Sequence, residues 1–364
     1  NILTLTDSYK TSHWKQYPKG TSKVYSYLES RGGKFNNTMF YGLQYFIKQY
    51  LSGQVVTEEK IQKAKKFWDA HLGPNHFNEA GWRHILDNHN GHLPVRIKAV
   101  PEGTVVKTGN VLVTVENTDP EVPWLTNFLE SILLQVWYPT TVGTLSREVK
   151  KNLINYLKKT TSYNAEEISG VVAFMLHDFG FRGVSSVESS GLGGSSHIIN
   201  FMGTDTVSAI LFAQEFYNTE NPLAFSIPAS EHSTITSWGE PFEVKAMENM
   251  LDSYPTGLVA CVSDSFDIIR ACRDYWGTAL RDKILSRDGR LVIRPDSGDP
   301  VQTLKQIFHI LWDKFGGTTN DKGFKVLDPH VRVIQGDGVN FESISDICDM
   351  MIEVGFAIEN IAFG

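Results

Sequence analysis

One run in the sequence is dense in charged and flexible residues: Arg294-Pro-Asp-Ser-Gly-Asp-Pro300. An arginine guanidinium can bind a phosphate through two hydrogen bonds, and an aspartate can bind a ribose hydroxyl or Mg²⁺. Proline, aspartate and glycine also form ordinary turns that cap a following helix, but arginine is not a typical turn residue. We therefore interpret Arg294 and Asp296 as candidate ligands of a phosphorylated small molecule.

His232 is a candidate for phosphoryl or proton chemistry, because it lies in a segment, 226–236, that is rich in hydroxyl side chains. An imidazole can act as a nucleophile toward phosphorus or as a general base, and Glu231 lies beside it. A lone histidine is more often structural, and the residues alone leave both interpretations open. Five other histidines have no recognisable ligand spacing and predict a solvated region; they are His71, His76, His84, His89 and His92.

The segment 177–183, His-Asp-Phe-Gly-Phe-Arg-Gly, combines aromatic rings with an arginine. Phe179 could stack on a flat ligand while Arg182 meets an anion, and the alternative is a core aromatic beside a surface arginine. Asp-Phe-Gly also occurs in protein kinases. No glycine-rich loop with a strand lysine and no His-Arg-Asp loop accompanies it, which excludes a kinase.

Three shorter turns carry an aspartate each: Gly203-Thr-Asp205, Ser263-Asp-Ser265 and Gln335-Gly-Asp-Gly338. Any one of them taken alone is explained by turn geometry or by helix capping. Gly191-Leu-Gly-Gly-Ser-Ser196 lacks the Lys-Ser/Thr of a P-loop and the spacing of a dinucleotide fingerprint. We interpret it as a set of small residues that lets a helix pack closely.

The elements that must position these residues alternate between short apolar runs and helical segments after Ser169. The predicted strands are 171–176, 198–202, 224–227, 258–262, 291–293, 331–334 and 361–363, and the predicted helices are 206–217, 242–252, 266–285, 301–315 and 341–354. This alternation predicts a parallel sheet, whose ligands bind at the carboxyl ends of the strands. Almost every predicted strand ends in a polar residue, and seven repeats favour a barrel over an open sheet.

Residues before about 161 have a mixed pattern. We predict a strand at 23–29, a helix at 58–72, two strands within 95–117, and helices at 124–137 and 145–159. The fold class is therefore α/β, with an N-terminal α/β domain and its linking helices at 1–160 and a β/α barrel domain at 161–364. The chain starts at Asn1 and stops at Gly364 directly after a strand-like run, so we expect residues to be missing at both ends.

Composition excludes several classes of protein. The chain has 364 residues with 34 lysines and arginines against 41 aspartates and glutamates, a net charge of −7. This balance argues against a nucleic-acid or anionic-membrane partner, and no apolar run reaches the roughly 18 residues of a spanning helix. Three cysteines without a pairing pattern suit a reducing compartment, so the cytoplasm is the expected location.

Five motifs, which follow one another in the order found in the nicotinamide phosphoribosyltransferase family, resemble that family over nearly the whole chain. They are 7–10 (Asp-Ser-Tyr-Lys), 177–183, 228–236, 292–298 and 334–338. The resemblance implies a homodimer of type II phosphoribosyltransferase fold, an irregular β/α barrel beside an N-terminal α/β domain. It also implies an enzyme that joins nicotinamide to phosphoribosyl pyrophosphate, with ATP as co-substrate and Mg²⁺ as cofactor, in the cytoplasm and also in the nucleus or outside the cell.

The resemblance also implies roles for individual residues. Phe179 matches the aromatic residue under the pyridine ring, Tyr9 of the partner subunit matches the one above it, and Asp205 matches the acid that accepts the carboxamide N–H. Asp7 and Ser226 are further substrate-binding candidates. Arg182 and Arg294 match arginines that bind phosphate or line the ring pocket. Asp264 and Asp296 match acids around the ribose and Mg²⁺, and Gly336 and Asp337 match the turn that holds the ribose. His232 matches the histidine that ATP phosphorylates. Among these, His232, Asp264 and Asp296 are the candidate catalytic residues.

Two other functions remain open. A nicotinate phosphoribosyltransferase has a related fold and cofactors, but the charge of Asp205 would repel the carboxylate of nicotinate and accept from an amide. A secreted signalling protein without catalysis is the second alternative, although it would leave the polar strand ends without a purpose.

Overall fold

The computed structural model describes every residue from 1 to 364. The chain forms two compact units, one of Asn1–Thr144 with Phe212–Asn218, the other of Leu145–Leu211 with Thr219–Gly364. The expected domain boundary near residue 160 stays a prediction, since a compact unit is not by itself a domain that folds alone.

The first unit is built on antiparallel strands. Its main sheet has the order β1-β5-β3, and β2 pairs with β4. The strands are β1 Tyr25–Glu29, β2 Asn37–Met39, β3 Val95–Ala99, β4 Val105–Lys107 and β5 Val111–Asn117; the helices are α1 Leu43–Phe46, α2 Glu58–Leu72, α3 Glu79–His89, α4 Leu125–Phe128 and α5 Glu130–Leu133. The predicted helix at 58–72 is confirmed. It starts where the Thr57 side chain accepts from the amide of Lys60, and it buries Trp68 on its inner face.

The second unit is built on parallel strands. Its largest sheet has the order β13-β12-β9-β8, and residues such as Val259, Ile293 and Val333 fill its core. The strands are β6 His177–Asp178, β7 Gly203–Thr204, β8 Thr256–Val262, β9 Asp288–Arg294, β10 Gly317–Thr319, β11 Lys325–Leu327, β12 Val331–Gln335 and β13 Ile361–Phe363. The helices from the end of the first unit onward are α6 Trp137–Thr160, α7 Ala165–Val172, α8 Val187–Ile198, α9 Val207–Tyr217, α10 His232–Thr236, α11 Glu243–Ser253, α12 Ile268–Arg270, α13 Arg281–Leu285, α14 Pro300–Phe315 and α15 Phe341–Glu353.

Further parallel bridges join the two edges of this sheet. Leu176, directly before β6, bridges Phe363 of β13, and β6 pairs with β7. The segment 225–229 then connects β7 to β8, because Phe225 bridges Gly203 and Ala229 bridges Ala260. The strand segments follow one another in an irregular ring. The α/β class is confirmed, and the ring is consistent with the expected barrel.

Three of the seven predicted strands differ from the structure. Residues 171–172 end α7 and residue 198 ends α8, so the strand segments that follow them are only two residues long, at His177–Asp178 and Gly203–Thr204. The prediction of strands for these two apolar runs was wrong, because a short buried run has the same composition in a strand as in a helix. The third segment, 224–227, makes single bridges only, and Pro228 beside it has no N–H to donate to a sheet.

Three predicted helices also differ in detail. The region 124–137 forms the short helices α4 and α5, and the region 145–159 is part of the longer α6. The region 266–285 is broken into α12, a wider π-helical segment at Ala271–Ala279, and α13.

The small residues of Gly191–Ser196 pack α8 closely, as predicted. All six are buried, and the amide-to-carbonyl ladder of α8 runs through them. A Cβ added at Gly194 would lie 2.6 Å from the Cβ of Ala209 in α9 and 2.8 Å from Oδ2 of Asp178 at the end of β6. The absence of a side chain at Gly194 therefore sets the distance between two helices and the end of a strand.

We expect Gly194→Ala to destabilise the protein by about 1–3 kcal/mol, because the added methyl group forces α8 away from α9. Gly170→Ala is the matched control, since Gly170 is also helical and a Cβ there meets nothing within 4 Å. The control should be neutral or stabilising by up to about 1 kcal/mol, the helix propensity of alanine over glycine. Thermal unfolding of both variants measures the difference, and equal melting temperatures would contradict the close packing.

Candidate active site

The candidate residues lie where the strands of the ring end. Phe179 follows β6 and Asp205 follows β7. Asp264 comes two residues after β8, Asp296 two residues after β9, and Asp337 two residues after β12. Because all these strands run parallel, their carboxyl ends lie at one edge, and side chains far apart in sequence meet there.

A cavity of about 670 Å³ occupies this edge of the second unit. It brings together seven of the residues expected from the sequence and two that were not: Phe179, Arg182, Asp205, Arg294, Asp296, Gly336 and Asp337, with Phe181 and Thr206 in addition. Each added residue directly neighbours a predicted one in the sequence, which is the signal that could have found it. The cavity thus has two aromatic rings, two guanidinium groups and three carboxylates on its wall.

The ring of Phe179 packs against the backbone at two glycines, Gly336 and Gly364. A Cβ at Gly336 would lie 3.3 Å from Cε2 of Phe179, and a Cβ at Gly364 would lie 2.0 Å from the same atom. The ring also packs against a small apolar cluster that includes Ile334. Burial lowers the pKa of the neighbouring His177 although the Asp205 charge opposes this, so the imidazole beside Phe179 is neutral at pH 7.

Asp205 is an exposed carboxylate that is held in place on one side. The Ser226 hydroxyl donates to its Oδ1, and its backbone N–H donates to the carbonyl of Asp178 at 3.0 Å. Ser226 itself does not line the cavity. Its contact fixes the carboxylate and leaves Oδ2 of Asp205 for a donor from elsewhere.

His232, Asp264 and Asp296 form a connected group. His232 Nε2 lies 3.0 Å from Oδ1 of Asp264, and His232 Nδ1 lies 3.9 Å from Oδ2 of Asp296. Oδ2 of Asp264 accepts from the amide of Asp296 and from the hydroxyl of Ser297. The Asp264 side chain is only 3% exposed, whereas that of His232 is 46% exposed.

The hydrogen bonds of Asp264 keep it ionised. Burial raises its pKa, but the donors Ser297, His232 and the Asp296 amide outweigh burial and lower the pKa overall. An ionised Asp264 accepts a hydrogen bond from Nε2–H of His232, and this tautomer has the lone pair of Nδ1 free, the arrangement that activates an imidazole. His232 is the first residue of α10, shortly after the bridged segment 225–229.

Arg294 carries a donor that the protein does not satisfy. Its Nε atom is buried without a hydrogen-bond partner, while Nη2 lies 3.6 Å from Oδ2 of Asp296. A buried N–H without an acceptor costs free energy, and an anion in the cavity would supply the acceptor.

Carboxylate oxygens are the ligands that Mg²⁺ prefers, usually together with substrate phosphates. Asp296 and Asp337 line the cavity and fit this role. Both oxygens of Asp264 are occupied by protein donors, so Asp264 fits the positioning of His232 better than direct metal ligation.

Two expected residues lie in the first unit. Asp7 precedes a 3₁₀ helix at Ser8–Lys15 and accepts from the hydroxyl of Ser131. Tyr9, in that helix, is 60% exposed, and its ring lies edge-on to His13 with 5.0 Å between centroids. Neither residue lines the cavity of the second unit.

Comparisons with known proteins relate both parts of the chain to phosphoribosyltransferases. Residues 1–97 match the family described as "Nicotinamide phosphoribosyltransferase, N-terminal domain", and residues 174–364 match the "Nicotinate phosphoribosyltransferase (NAPRTase) family". The chain is 51% identical to a nicotinamide phosphoribosyltransferase of Xanthomonas campestris pv. campestris, with 100% of this chain and 76% of that protein covered. It is 33% identical to one of Acinetobacter baylyi, with 100% and 78% covered.

Solved structures share the fold at low sequence identity. The nicotinate-nucleotide pyrophosphorylase of Pyrococcus furiosus aligns with a TM-score of 0.56 at 14% identity, covering 100% of this chain and 72% of that one. Human nicotinic acid phosphoribosyltransferase aligns with a TM-score of 0.54 at 16% identity, covering 99% and 72%. No helix of the chain has the length and apolar character needed to cross a membrane. From its similarity to the two bacterial enzymes over its whole length, this chain belongs to the nicotinamide phosphoribosyltransferase family.

Proposed function

We propose that the protein transfers the phosphoribosyl group of phosphoribosyl pyrophosphate to the ring nitrogen of nicotinamide, giving nicotinamide mononucleotide and pyrophosphate. The composition of the cavity wall is the observation that carries this proposal. A pyridine ring with a carboxamide requires an aromatic surface and an acceptor, which Phe179 and Asp205 offer. Ribose and phosphate groups require hydroxyl acceptors and cations, which the remaining residues offer: Arg182, Arg294, Asp296 and Asp337. The names of the bacterial relatives support the same reaction.

The reaction demands positioning more than acid–base chemistry. The bond between C1 of the ribose and the pyrophosphate oxygen breaks, the leaving pyrophosphate takes the electron pair, and the ring nitrogen forms the new bond to C1. The ribose passes through an oxocarbenium-like state, so holding the neutral nitrogen close to C1 lowers the barrier. The unsatisfied Nε–H of Arg294 is suited to bind the phosphate charge that develops on departure.

Asp205 selects the amide over the acid. Its Oδ1 is occupied by Ser226, and its Oδ2 is suited to accept an N–H from the carboxamide of nicotinamide. Nicotinate carries a carboxylate at the same position, which the charge of Asp205 would repel.

Mg²⁺ is proposed as the metal cofactor, and it would neutralise charge on the pyrophosphate oxygens. Asp296 and Asp337 are the carboxylates suited to hold it, together with the phosphates of the substrate. Asp264 acts through His232 in this proposal.

ATP is proposed as co-substrate, with His232 as the phosphoryl acceptor. Nδ1 of His232 attacks the terminal phosphorus, the N–P bond forms as the bond to the bridging oxygen breaks, and ADP leaves. Nε2–H stays hydrogen-bonded to the ionised Asp264, which stabilises the positive charge that develops on the ring. A phosphate at this position would lie next to Asp296, at the edge of the cavity, where it adds negative charge for Mg²⁺ to bind.

The enzyme is proposed to be a homodimer in which Tyr9 of one protomer covers the pyridine ring bound by its partner. Tyr9 supports this proposal because a tyrosine that is 60% exposed presents most of its ring to a second molecule. Stacking between Tyr9 and Phe179 across the dimer would enclose the flat ring on both faces.

We expect Asp205→Asn to reduce kcat/KM for nicotinamide at least tenfold, because a neutral acceptor replaces a charged one. The ratio of nicotinamide to nicotinate turnover should fall as well, since the repulsion of nicotinate disappears. Asp321→Asn is the matched control, an exposed aspartate in the turn between β10 and β11. Steady-state rates with both substrates give the result, and an unchanged ratio in Asp205→Asn would refute the role of Asp205.

We expect the protein incubated with γ-labelled ATP to acquire an acid-labile phosphate that His232→Ala lacks. Asp264→Asn should label at least tenfold more slowly, because Nε2 loses its charged partner. His330→Ala is the control, since His330 forms a similar pair with Asp328 at 2.7 Å but precedes β12, away from the strand's carboxyl end. Labelling of His232→Ala at the wild-type level would assign the phosphate to another residue.

Mixed dimers test whether Tyr9 serves the partner's site. Tyr9→Ala and Asp205→Asn proteins should each be impaired when pure. Random exchange of protomers makes half of the dimers mixed, each with one intact site, and should restore about a quarter of wild-type activity. Activity that stays at the average of the two pure variants would show that Tyr9 and Asp205 belong to the same protomer's site or to none.

A further inference from the structure

Three side chains of the first unit converge on one point that the proposed reaction does not use. His84 and His89 belong to α3, and Asp119 lies in the turn after β5. One ligand atom from each, an imidazole nitrogen or a carboxylate oxygen, lies within 4.8 Å of the others. Oδ2 of Asp119 is 2.7 Å from Nε2 of His84 and 2.6 Å from Nε2 of His89. The spacing of the histidines predicted a solvated region, and for these two that prediction was wrong, because their rings are about 30% exposed and both contact Asp119.

The geometry of the helix makes this convergence specific. Residues five apart on a helix point in directions about 140° apart and do not normally meet. Here α3 ends at His89, and Asn90 takes the left-handed conformation with φ of 49°. The end of the helix therefore lets the ring of His89 turn toward the carboxylate that His84 also contacts.

The carboxylate is fixed by the protein independently of the histidines. Oδ1 of Asp119 accepts from the amide of Glu121 at 2.9 Å, and the backbone carbonyl of Asp119 accepts from the side chain of Asn117 at 2.8 Å. On the other side, the Asn88 side-chain amide lies 3.1 Å from Nδ1 of His84. The same NH2 group donates to the backbone carbonyl of His84 at 3.2 Å, so Nδ1 of His84 accepts from Asn88 and Nε2 carries the hydrogen that faces Asp119. A metal ion at Nε2 would displace that proton.

We propose that His84, His89 and Asp119 form a binding site for Zn²⁺ in the first unit. Two imidazoles and one carboxylate are a donor set that zinc accepts, and a water molecule completes the tetrahedron. Tetrahedral bonds of about 2.0–2.1 Å separate neighbouring ligand atoms by about 3.3 Å. Each imidazole nitrogen therefore needs to move about 0.6–0.7 Å away from Oδ2 of Asp119 to admit the ion.

The expected role of the ion is structural. It would bind the last turn of α3 to the segment after β5, two parts of the first unit that are 30 residues apart in sequence. His84 also lines a surface groove of about 750 Å³, which gives the ion a path from solvent. The soft character of imidazole disfavours Mg²⁺ at this site, so it is chemically distinct from the carboxylates proposed for Mg²⁺ in the second unit.

Calorimetric titration of ZnCl₂ into the chelator-treated, dialysed full chain tests the proposal. We expect one site per chain with micromolar or tighter affinity, and an increase of several degrees in the melting temperature that MgCl₂ does not produce. His84→Gln and His89→Gln should weaken zinc binding more than tenfold. Glutamine can still donate to Asp119, so the metal-free fold is kept, and the circular dichroism spectrum checks this.

Two control variants separate this site from others. His92→Ala removes a neighbouring histidine outside the cluster, and His232→Ala removes the imidazole of the candidate active site. Both should bind zinc as the wild type does, and Co²⁺ in place of zinc should give the visible absorption of a tetrahedral site. Absence of zinc binding, or undiminished binding by His84→Gln and His89→Gln, would overturn the proposal and leave the cluster as a hydrogen-bonded triad.

Discussion

A single buried carboxylate, Asp264, holds the catalytic edge of the second unit together. Its two oxygens accept hydrogen bonds from His232, from the amide of Asp296 and from Ser297, so it joins the end of β8 to the segment after β9 and to the start of α10. Burying an ionised carboxylate is costly unless donors replace water, and three donors do so here. The same hydrogen bonds that stabilise the charge also orient the imidazole of His232. Stability and the proposed chemistry therefore depend on one interaction.

The second constraint is geometric. Parallel strands must all end at one edge, and the irregular ring brings together residues that lie as far apart in sequence as Phe179 and Asp337. Close packing makes this possible where the strands are shortest. Gly194 lets α8 approach the end of β6, and the backbone at Gly336 and Gly364 leaves room for the ring of Phe179. Small residues thus define the cavity as much as the polar groups that line it.

The sequence predicts the long, buried strands and their polar ends well. β8, β9 and β12 each contain a buried apolar run, and the aspartates that follow them are in the cavity or beside it. The prediction from sequence fails at β6 and β7, because the apolar runs before them begin in helices and each of the two strands has only two paired residues. It also does not reveal that Asp264 serves His232 rather than solvent, since hydrogen-bond partners are set by the ring and not by spacing. His84 and His89 have no ligand spacing of their own, and their common partner Asp119 is distant in sequence.

The cavity of the second unit is expected to select nicotinamide as acceptor of the phosphoribosyl group. A competition reaction measures this directly, with the wild-type protein, equal concentrations of nicotinamide and nicotinate, and limiting phosphoribosyl pyrophosphate with ATP and Mg²⁺. The two mononucleotide products are then quantified by mass spectrometry. We expect nicotinamide mononucleotide as the main product, whereas a mixture dominated by nicotinate mononucleotide, or no mononucleotide at all, would show that the cavity does not select nicotinamide.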